Sequence, residues 1–140
     1  MSDQDESSVR AFIKEAESDR WDAALVERML DRMAPDARYH VYAWERPLTG
    51  RDAIRAELLR QAPLFRNLRI EIKALASTGS TVLLERVDSM TIGKKPLMLH
   101  VAAVFEVDEA GKITAWREYY DSKEIAAQLG ADVTTAGSRA

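Results

Sequence analysis

The sequence predicts a single α+β domain in which helices cover one face of a curved sheet. Two observations lead to this prediction. Before Pro63, apolar residues recur about every four positions, as they do in amphipathic helices. After Pro63 they alternate with polar residues, as they do in half-buried strands. Helices followed by a meander of antiparallel strands are typical of the α+β class.

Length and composition restrict the kinds of protein this chain can be. It has 140 residues, of which 46% are hydrophobic and 31% charged, and this mix is typical of one globular domain. The net charge of -3 and the lack of basic clusters argue against a nucleic-acid partner. The absence of cysteine excludes disulfides, thiolate metal sites and a cysteine nucleophile. Only two histidines are present, without metal-ligand spacing, so we expect no metal or other cofactor. No signal peptide or membrane-spanning segment is evident, so we expect a cytoplasmic protein without a membrane partner.

The helical part of the chain divides into three helices. Asp19 and Arg20 interrupt the first apolar stripe, Pro35 closes the second, and Pro63 lies beyond the third. A short strand rich in aromatic residues and a loop containing Pro47 separate the second helix from the third. We expect helices over 8–18, 21–33 and 51–62, a strand over 38–44 and a loop over 45–50.

The alternating part of the chain predicts four strands joined by short turns. Gly79, Gly93 and Gly111 fall in these turns, and Gly130 ends a final helix. We expect strands over 68–76, 81–92, 97–107 and 113–121 and a helix over 122–129. The domain then occupies 8–129, between a disordered N-terminus, 1–7, and a disordered tail, 130–140.

The strand over 81–92 carries the most informative residues. Side chains alternate between the two faces of a strand, so Arg86 and Asp88 share one face with Leu84 and Met90. Charged groups among aliphatic side chains are costly to desolvate unless they are paired. A guanidinium has five N–H donors, and a single carboxylate leaves several of them unused. We expect a second carboxylate from a neighbouring strand, and the candidate is Asp121.

Each of these residues also has a purely structural interpretation. Buried Arg–Asp pairs occur without catalysis. The sequence Asp121-Ser122-Lys123-Glu124 fits an N-cap and a capping glutamate at the start of the last helix. Residue spacing leaves both the structural and the functional interpretation open.

Several short motifs resemble one known family. They are ERVD at 85–88, VFEVD at 104–108, GKI at 111–113, WREYYD at 116–121 and, less specifically, GRDAI at 50–54. Together they resemble the limonene-1,2-epoxide hydrolase family, over roughly residues 8–125. This family is part of a wider group of cone-shaped folds similar to nuclear transport factor 2. The resemblance implies a curved mixed or antiparallel sheet with the N-terminal helices on its concave face.

The resemblance also implies an activity and the roles of the site residues. The expected reaction is one-step opening of a small lipophilic epoxide, without cofactor or covalent intermediate, in a homodimer. Asp121 matches the carboxylate that takes a proton from water, and Asp88 the one that donates a proton to the epoxide oxygen. Arg86 matches the arginine between them. Tyr39 matches a residue that helps to hold the water.

One position departs from the family pattern, which has Tyr, any residue and then Asn on the first strand. Here Val41 stands in place of the Asn, and it cannot bind a water through a hydrogen bond. Either another group positions the water, or a hydroxyl of the substrate attacks and the protein is a cyclase or isomerase. A non-catalytic protein that binds hydrophobic ligands is a third alternative. Further candidates for the pocket are Val41, Trp44, Leu84, Met90, His100 and Tyr119.

Overall fold

The part of the chain that the structure describes forms four helices and seven strands. A computed structural model describes residues 2–130. The helices are α1 Ser2–Ala16, α2 Ala23–Asp31, α3 Arg51–Gln61 and α4 Ser122–Leu129, and a 3₁₀ turn at Ala62–Leu64 follows α3. The strands are β1 Ser18–Arg20, β2 Met33–His40, β3 Leu48–Thr49, β4 Arg66–Thr78, β5 Thr81–Ile92, β6 Lys95–Val107 and β7 Ile113–Tyr119.

All seven strands form one curled, mixed sheet. The strand order is β1-β4-β5-β6-β7-β2-β3, and every neighbouring pair is antiparallel except β2 and β7, which are parallel. The long strands β4, β5 and β6 follow one another along the chain and pair as a meander. The α+β class and the curved mixed sheet are therefore confirmed.

Aromatic contacts join the first helix to the sheet. The ring of Phe12 is fully buried and meets Phe105 and Trp116 edge-on, at centroid distances of 5.8 and 5.0 Å. Val9 and Ile13 lie in the same buried cluster. Burial of this apolar stripe fixes α1 on the face of the sheet that also carries Arg86.

Several elements differ from the sequence predictions. The short strands β1 and β3 were not predicted, and β3 lies within the expected loop over 45–50. The strand expected over 38–44 ends at His40. Helix α1 begins at Ser2, so residues 2–7, which we expected to be disordered, are helical. Strand β2 begins at Met33, and it contains Pro35, which we expected to do no more than end the preceding helix. A proline is tolerated there because the register of β2 against β7 shifts between Met33 and Arg38. Apart from Gly130, the expected disordered tail lies outside the described residues.

The first half of β6 has an open edge on the side of β7. Strand β7 ends at Tyr119, opposite Ala102, so the earlier residues of β6 pair with β5 alone. Side chains of α4 bind this edge instead. Gln128 accepts a hydrogen bond from Met98 N (2.8 Å) and donates one to Met98 O (2.6 Å), and Glu124 accepts one from His100 N (2.8 Å). These contacts satisfy edge groups that would otherwise be open to another chain.

The face of the sheet opposite Arg86 is partly apolar and exposed. It presents Leu83, Met98 and Tyr119, each between 44% and 53% exposed. The homodimer expected from the sequence stays a prediction. In the described part of the chain, no helix has the length and apolar character needed to cross a lipid bilayer.

We predict that Phe12→Ala lowers the free energy of unfolding by about 3–5 kcal/mol, because it leaves a cavity between α1 and the sheet. Urea unfolding followed by circular dichroism measures the change. Leu59→Ala, at an exposed position of α3, is the control and should change stability by less than about 0.5 kcal/mol. Equal effects of the two substitutions would contradict the role assigned to Phe12.

Candidate active site

Strand β5 places a buried ion pair on the helix-covered face of the sheet. Arg86 and Asp88 are each 6% exposed, and Leu84 and Met90 flank them on the same face. Arg86 Nε donates to Asp88 Oδ1 at 2.9 Å, and Arg86 Nη2 donates to Asp88 Oδ2 at 3.2 Å. The prediction that these two residues pair among aliphatic side chains is confirmed.

The second carboxylate bound by Arg86 belongs to Glu118 of β7. Arg86 Nη1 donates to Glu118 Oε2 at 2.8 Å, and Arg86 Nη2 donates to Glu118 Oε1 at 2.5 Å. Glu118 is only 7% exposed. Each carboxylate therefore receives two hydrogen bonds from one guanidinium, the geometry in which arginine binds carboxylates most strongly. We refer to Asp88, Arg86 and Glu118 as the triad.

The register of three strands brings the triad together. Arg86 lies opposite Val101 of β6, and Glu118 lies opposite Ala103, two residues further along the same strand. Val101 and Ala103 therefore point to the same face of the sheet, and the Arg86 and Glu118 side chains meet on that face. Strands lie about 4.8 Å apart, so the Arg86 and Glu118 side chains together span two strand spacings. The small side chains of Val101 and Ala103 leave room above the sheet for this contact.

The prediction that Asp121 is the second carboxylate bound by Arg86 is wrong. Asp121 is exposed and forms the N-cap of α4, where its Oδ1 accepts a hydrogen bond from Lys123 N at 2.9 Å. It follows the end of β7, whereas Glu118 lies within that strand and shares a face with the buried Trp116. Strand alternation from Trp116 was the signal that could have identified Glu118.

The surroundings of Asp88 favour its protonated form. Burial raises the pKa of Asp88, although the positive charge and the hydrogen bonds of Arg86 oppose this, and the nearby charge of Glu118 raises it further. Burial alone would lower the pKa of Arg86, but Glu118 and Asp88 outweigh it and raise that pKa, so the guanidinium stays charged. Two ionised carboxylates would leave a net negative charge in an apolar site. One proton on Asp88 makes the triad neutral.

A largely apolar cavity opens beside the triad. Its polar end contains the triad together with Tyr39, Gln61 and Arg60. Aliphatic and aromatic side chains form the rest of its wall: Val41, Leu64, Phe65, Met90, Ile92, Leu97, Leu99, Val101, Tyr120 and Ile125. An apolar cavity with a few convergent polar groups is the usual form of a site for a small lipophilic ligand.

Tyr39 lies on β2 at the polar end of this cavity. It pairs with Trp116 across the parallel strands, and the two rings stack at a centroid distance of 3.9 Å. Its hydroxyl oxygen accepts a hydrogen bond from Gln61 Nε2 at 3.3 Å. Burial, together with the negative charge of Glu118, raises the pKa of Tyr39, so its phenol keeps its proton.

Of the six other residues proposed for the pocket, two line the cavity and four do not. Val41 and Met90 line the cavity, as predicted. Leu84 is buried in the core but is not part of the cavity wall. Trp44 is 81% exposed, Tyr119 lies on the opposite face of the sheet, and His100 is exposed and contacts Glu124. Placing these three in the pocket was wrong.

Among the cavity residues that sequence reasoning missed are Glu118, Gln61 and Tyr120. Gln61 gave no signal, because a polar residue at the end of a helix is ordinarily solvated. Within residues 2–130, no group of histidine, aspartate and glutamate side chains could hold a metal ion.

Two solved structures resemble the whole fold. One is an LEH-like epoxide hydrolase of M. tuberculosis, with 24% sequence identity and a TM-score of 0.74, and the alignment covers 97% of this chain and 96% of that chain. The other is a hypothetical protein with a ketosteroid isomerase-like fold from Catenulispora acidiphila DSM 44928, in complex with trimethylamine. It has 23% identity and a TM-score of 0.66, over 75% of this chain and 82% of that chain. At these identities the likeness shows a shared fold.

The sequence also matches a family model. Residues 4–130 match the limonene-1,2-epoxide hydrolase catalytic domain, abbreviated LEH. The match includes β5 and β7, and therefore all three residues of the triad. It covers nearly all of the described residues, from α1 to the end of α4. The chain belongs to the limonene-1,2-epoxide hydrolase family.

Proposed function

We propose that this protein opens the ring of a small lipophilic epoxide by general acid–base catalysis at the triad. The observation that carries the proposal is Arg86 bridging two buried carboxylates at the polar end of an apolar cavity. A carrier of hydrophobic ligands has no need for such a costly buried charge cluster. Membership of the limonene-1,2-epoxide hydrolase family supports an epoxide as the substrate.

Asp88 is the general acid in this proposal. Its raised pKa favours the protonated carboxyl, which donates its proton to the epoxide oxygen as the carbon–oxygen bond of the ring breaks. The leaving oxygen then departs as a hydroxyl, which is a far more stable product than an alkoxide. The aliphatic walls beside Asp88 position the hydrocarbon part of the substrate and exclude bulk water.

Glu118 is the general base. Two donors of Arg86 hold its carboxylate in place. As a water oxygen bonds to the ring carbon, Glu118 accepts one proton from that water. The product is a diol, Asp88 is left ionised, and Glu118 is left protonated. Transfer of one proton from Glu118 back to Asp88 restores the starting state, so no metal or covalent intermediate is needed.

A second candidate reaction uses a hydroxyl of the substrate itself as the nucleophile. The observation that favours it is Val41, which places an aliphatic side chain in the cavity near Tyr39. The acid and base keep the same roles, and the product is a cyclic ether instead of a diol. The protein would then be an epoxide-opening cyclase.

The test is to incubate the protein in ¹⁸O-water with a panel of lipophilic epoxides, some carrying a free hydroxyl group. Mass spectrometry of the products distinguishes the two reactions. Diol labelled with ¹⁸O supports the hydrolase, and unlabelled cyclic ether supports the cyclase. An enzyme that leaves every epoxide of the panel unchanged contradicts the proposed function.

We predict that Asp88→Asn and Glu118→Gln each lower kcat by at least about 10²-fold, because each removes one of the two proton-transfer groups. Both substitutions preserve side-chain shape and hydrogen bonding to Arg86 through one oxygen. Asp121→Asn is the matched control, since asparagine also serves as an N-cap, and it should retain the wild-type rate. A large loss in Asp121→Asn together with a normal rate in Glu118→Gln would reverse the assignment of the base.

We also predict a loss of activity as the pH rises through the pKa of Asp88. As the pH rises through the raised pKa of Asp88, this carboxyl loses the proton that it must donate, so kcat/KM falls with a midpoint above the ordinary value of 3.8. The folded state binds this proton more tightly than the unfolded chain. The stability that Asp88 contributes is therefore full below its unfolded pKa and is lost as the pH rises through its folded pKa. A pH–rate profile that increases throughout the alkaline range would argue against Asp88 as the acid.

A further inference from the structure

Gln61, the last residue of α3, brings an amide group to the polar end of the cavity. It lines the same wall as Tyr39 and Val41, next to the triad. Its Nε2 lies 3.3 Å from the Tyr39 hydroxyl and 2.7 Å from Glu57 Oε2. The helix thus supplies a polar group where β2 presents the aliphatic Val41.

Glu57 fixes which way this amide faces. Glu57 is only 7% exposed, and its carboxylate oxygens receive hydrogen bonds from Arg60 Nε at 3.1 Å and Arg60 Nη2 at 2.7 Å. An ionised carboxylate only accepts hydrogen bonds, so the nitrogen of the Gln61 amide must face it. The amide oxygen therefore faces away from Glu57. None of the hydrogen bonds found within residues 2–130 uses it.

Tyr39 and Gln61 together offer one donor and one acceptor. The Tyr39 oxygen accepts from Gln61, and burial with the charge of Glu118 raises its pKa, so its O–H remains available as a donor. The Gln61 amide oxygen is the acceptor. Both groups lie at the cavity end that holds Glu118.

A water molecule attacking carbon needs this combination of groups. One lone pair forms the new bond to carbon, and one proton passes to the base, Glu118. The second lone pair accepts a hydrogen bond from Tyr39, and the second proton is donated to the Gln61 oxygen. All four tetrahedral positions of the water are then used, which fixes its orientation before the reaction.

We infer that Gln61 is a further catalytic residue, which binds the attacking water together with Tyr39 and Glu118. The inference rests on the proposed function, in its hydrolase form. Val41 of β2 cannot bind a water through a hydrogen bond. The amide group of Gln61, at the end of α3, binds the water instead.

The experiment compares steady-state kinetics of wild type, Gln61→Leu, Val41→Asn and the double variant, on an epoxide that wild type converts to ¹⁸O-labelled diol. Gln61→Leu should lower kcat about 10²-fold with KM within about threefold of wild type, because it misplaces the water and leaves the apolar walls intact. In the double variant, Val41→Asn returns an amide group to the same cavity. The kcat of the double variant should therefore be at least about tenfold higher than that of Gln61→Leu. Val41→Asn alone supplies the reference rate for the double variant, so that the effect of Gln61→Leu is measured in both backgrounds.

Two further variants separate catalysis from folding. Gln128→Leu makes the same chemical change on α4, outside the cavity, and should lower the melting temperature without lowering kcat. Gln61→Met keeps an unbranched side chain of similar volume, and it tests the same loss of kcat should Gln61→Leu fail to fold.

The experiment distinguishes failure of the proposed function from failure of the role of Gln61. Wild type that converts no epoxide, or yields only unlabelled cyclic ether, contradicts the hydrolase itself and with it the role of Gln61. Wild type that yields labelled diol, with kcat of the Gln61 variants within about twofold of it, overturns the role of Gln61 alone. A loss of kcat that the double variant does not recover indicates a structural role, and it also overturns the inference. Recovery in the double variant with unchanged KM supports it.

Discussion

Arg86 is a positive charge buried between two carboxyl groups, and much of the molecule is arranged around it. A guanidinium in an apolar environment is very costly unless its donors and its charge are both matched. Asp88 and Glu118 supply both, with four hydrogen bonds in all. Removing any one of the three groups would leave at least one of the other two buried without its partner. The free-energy cost of burying each of the three groups therefore depends on the presence of the other two.

The charge of the triad decides its chemistry. Three buried groups that can carry one positive and two negative charges are most stable when one carboxylate is protonated. Asp88 is the group on which the surroundings favour that proton. One acid and one base held side by side are what the opening of a three-membered ring requires, since one oxygen gains a proton while another loses one.

The sequence predicted those parts of the structure that depend on local pattern. The period of two along β5 placed Arg86 and Asp88 on one buried face, and the apolar periods and glycine turns located most elements. The pairing of Arg86 with Glu118 depends instead on the registers of β5 with β6 and of β6 with β7. No local pattern specifies a register across two strand boundaries.

Residue spacing also did not decide the roles of two other residues, Asp121 and Gln61. Asp121 combined the position expected of a carboxylate partner with the pattern of an N-cap, and local capping of α4 prevailed because it needs no desolvation of the charge. Gln61 became part of the cavity through the way α3 packs beside β2, with Glu57 and Arg60 orienting its amide. Residue spacing left the N-cap as one of two interpretations of Asp121, and it gave no indication of the place of Gln61.

Because α4 binds the edge of β6 through side chains only, the wall of the cavity that α4 forms is structurally separate from the triad. The triad sits on central strands that a continuous ladder of backbone hydrogen bonds holds in place. One wall of the cavity includes Ile125 of α4, and that helix binds the β6 edge through the side chains of Glu124 and Gln128. Substitutions in α4 can therefore reshape the cavity while the triad keeps its geometry. Under the proposed function, such substitutions would change which substrate fits without changing the acid and the base.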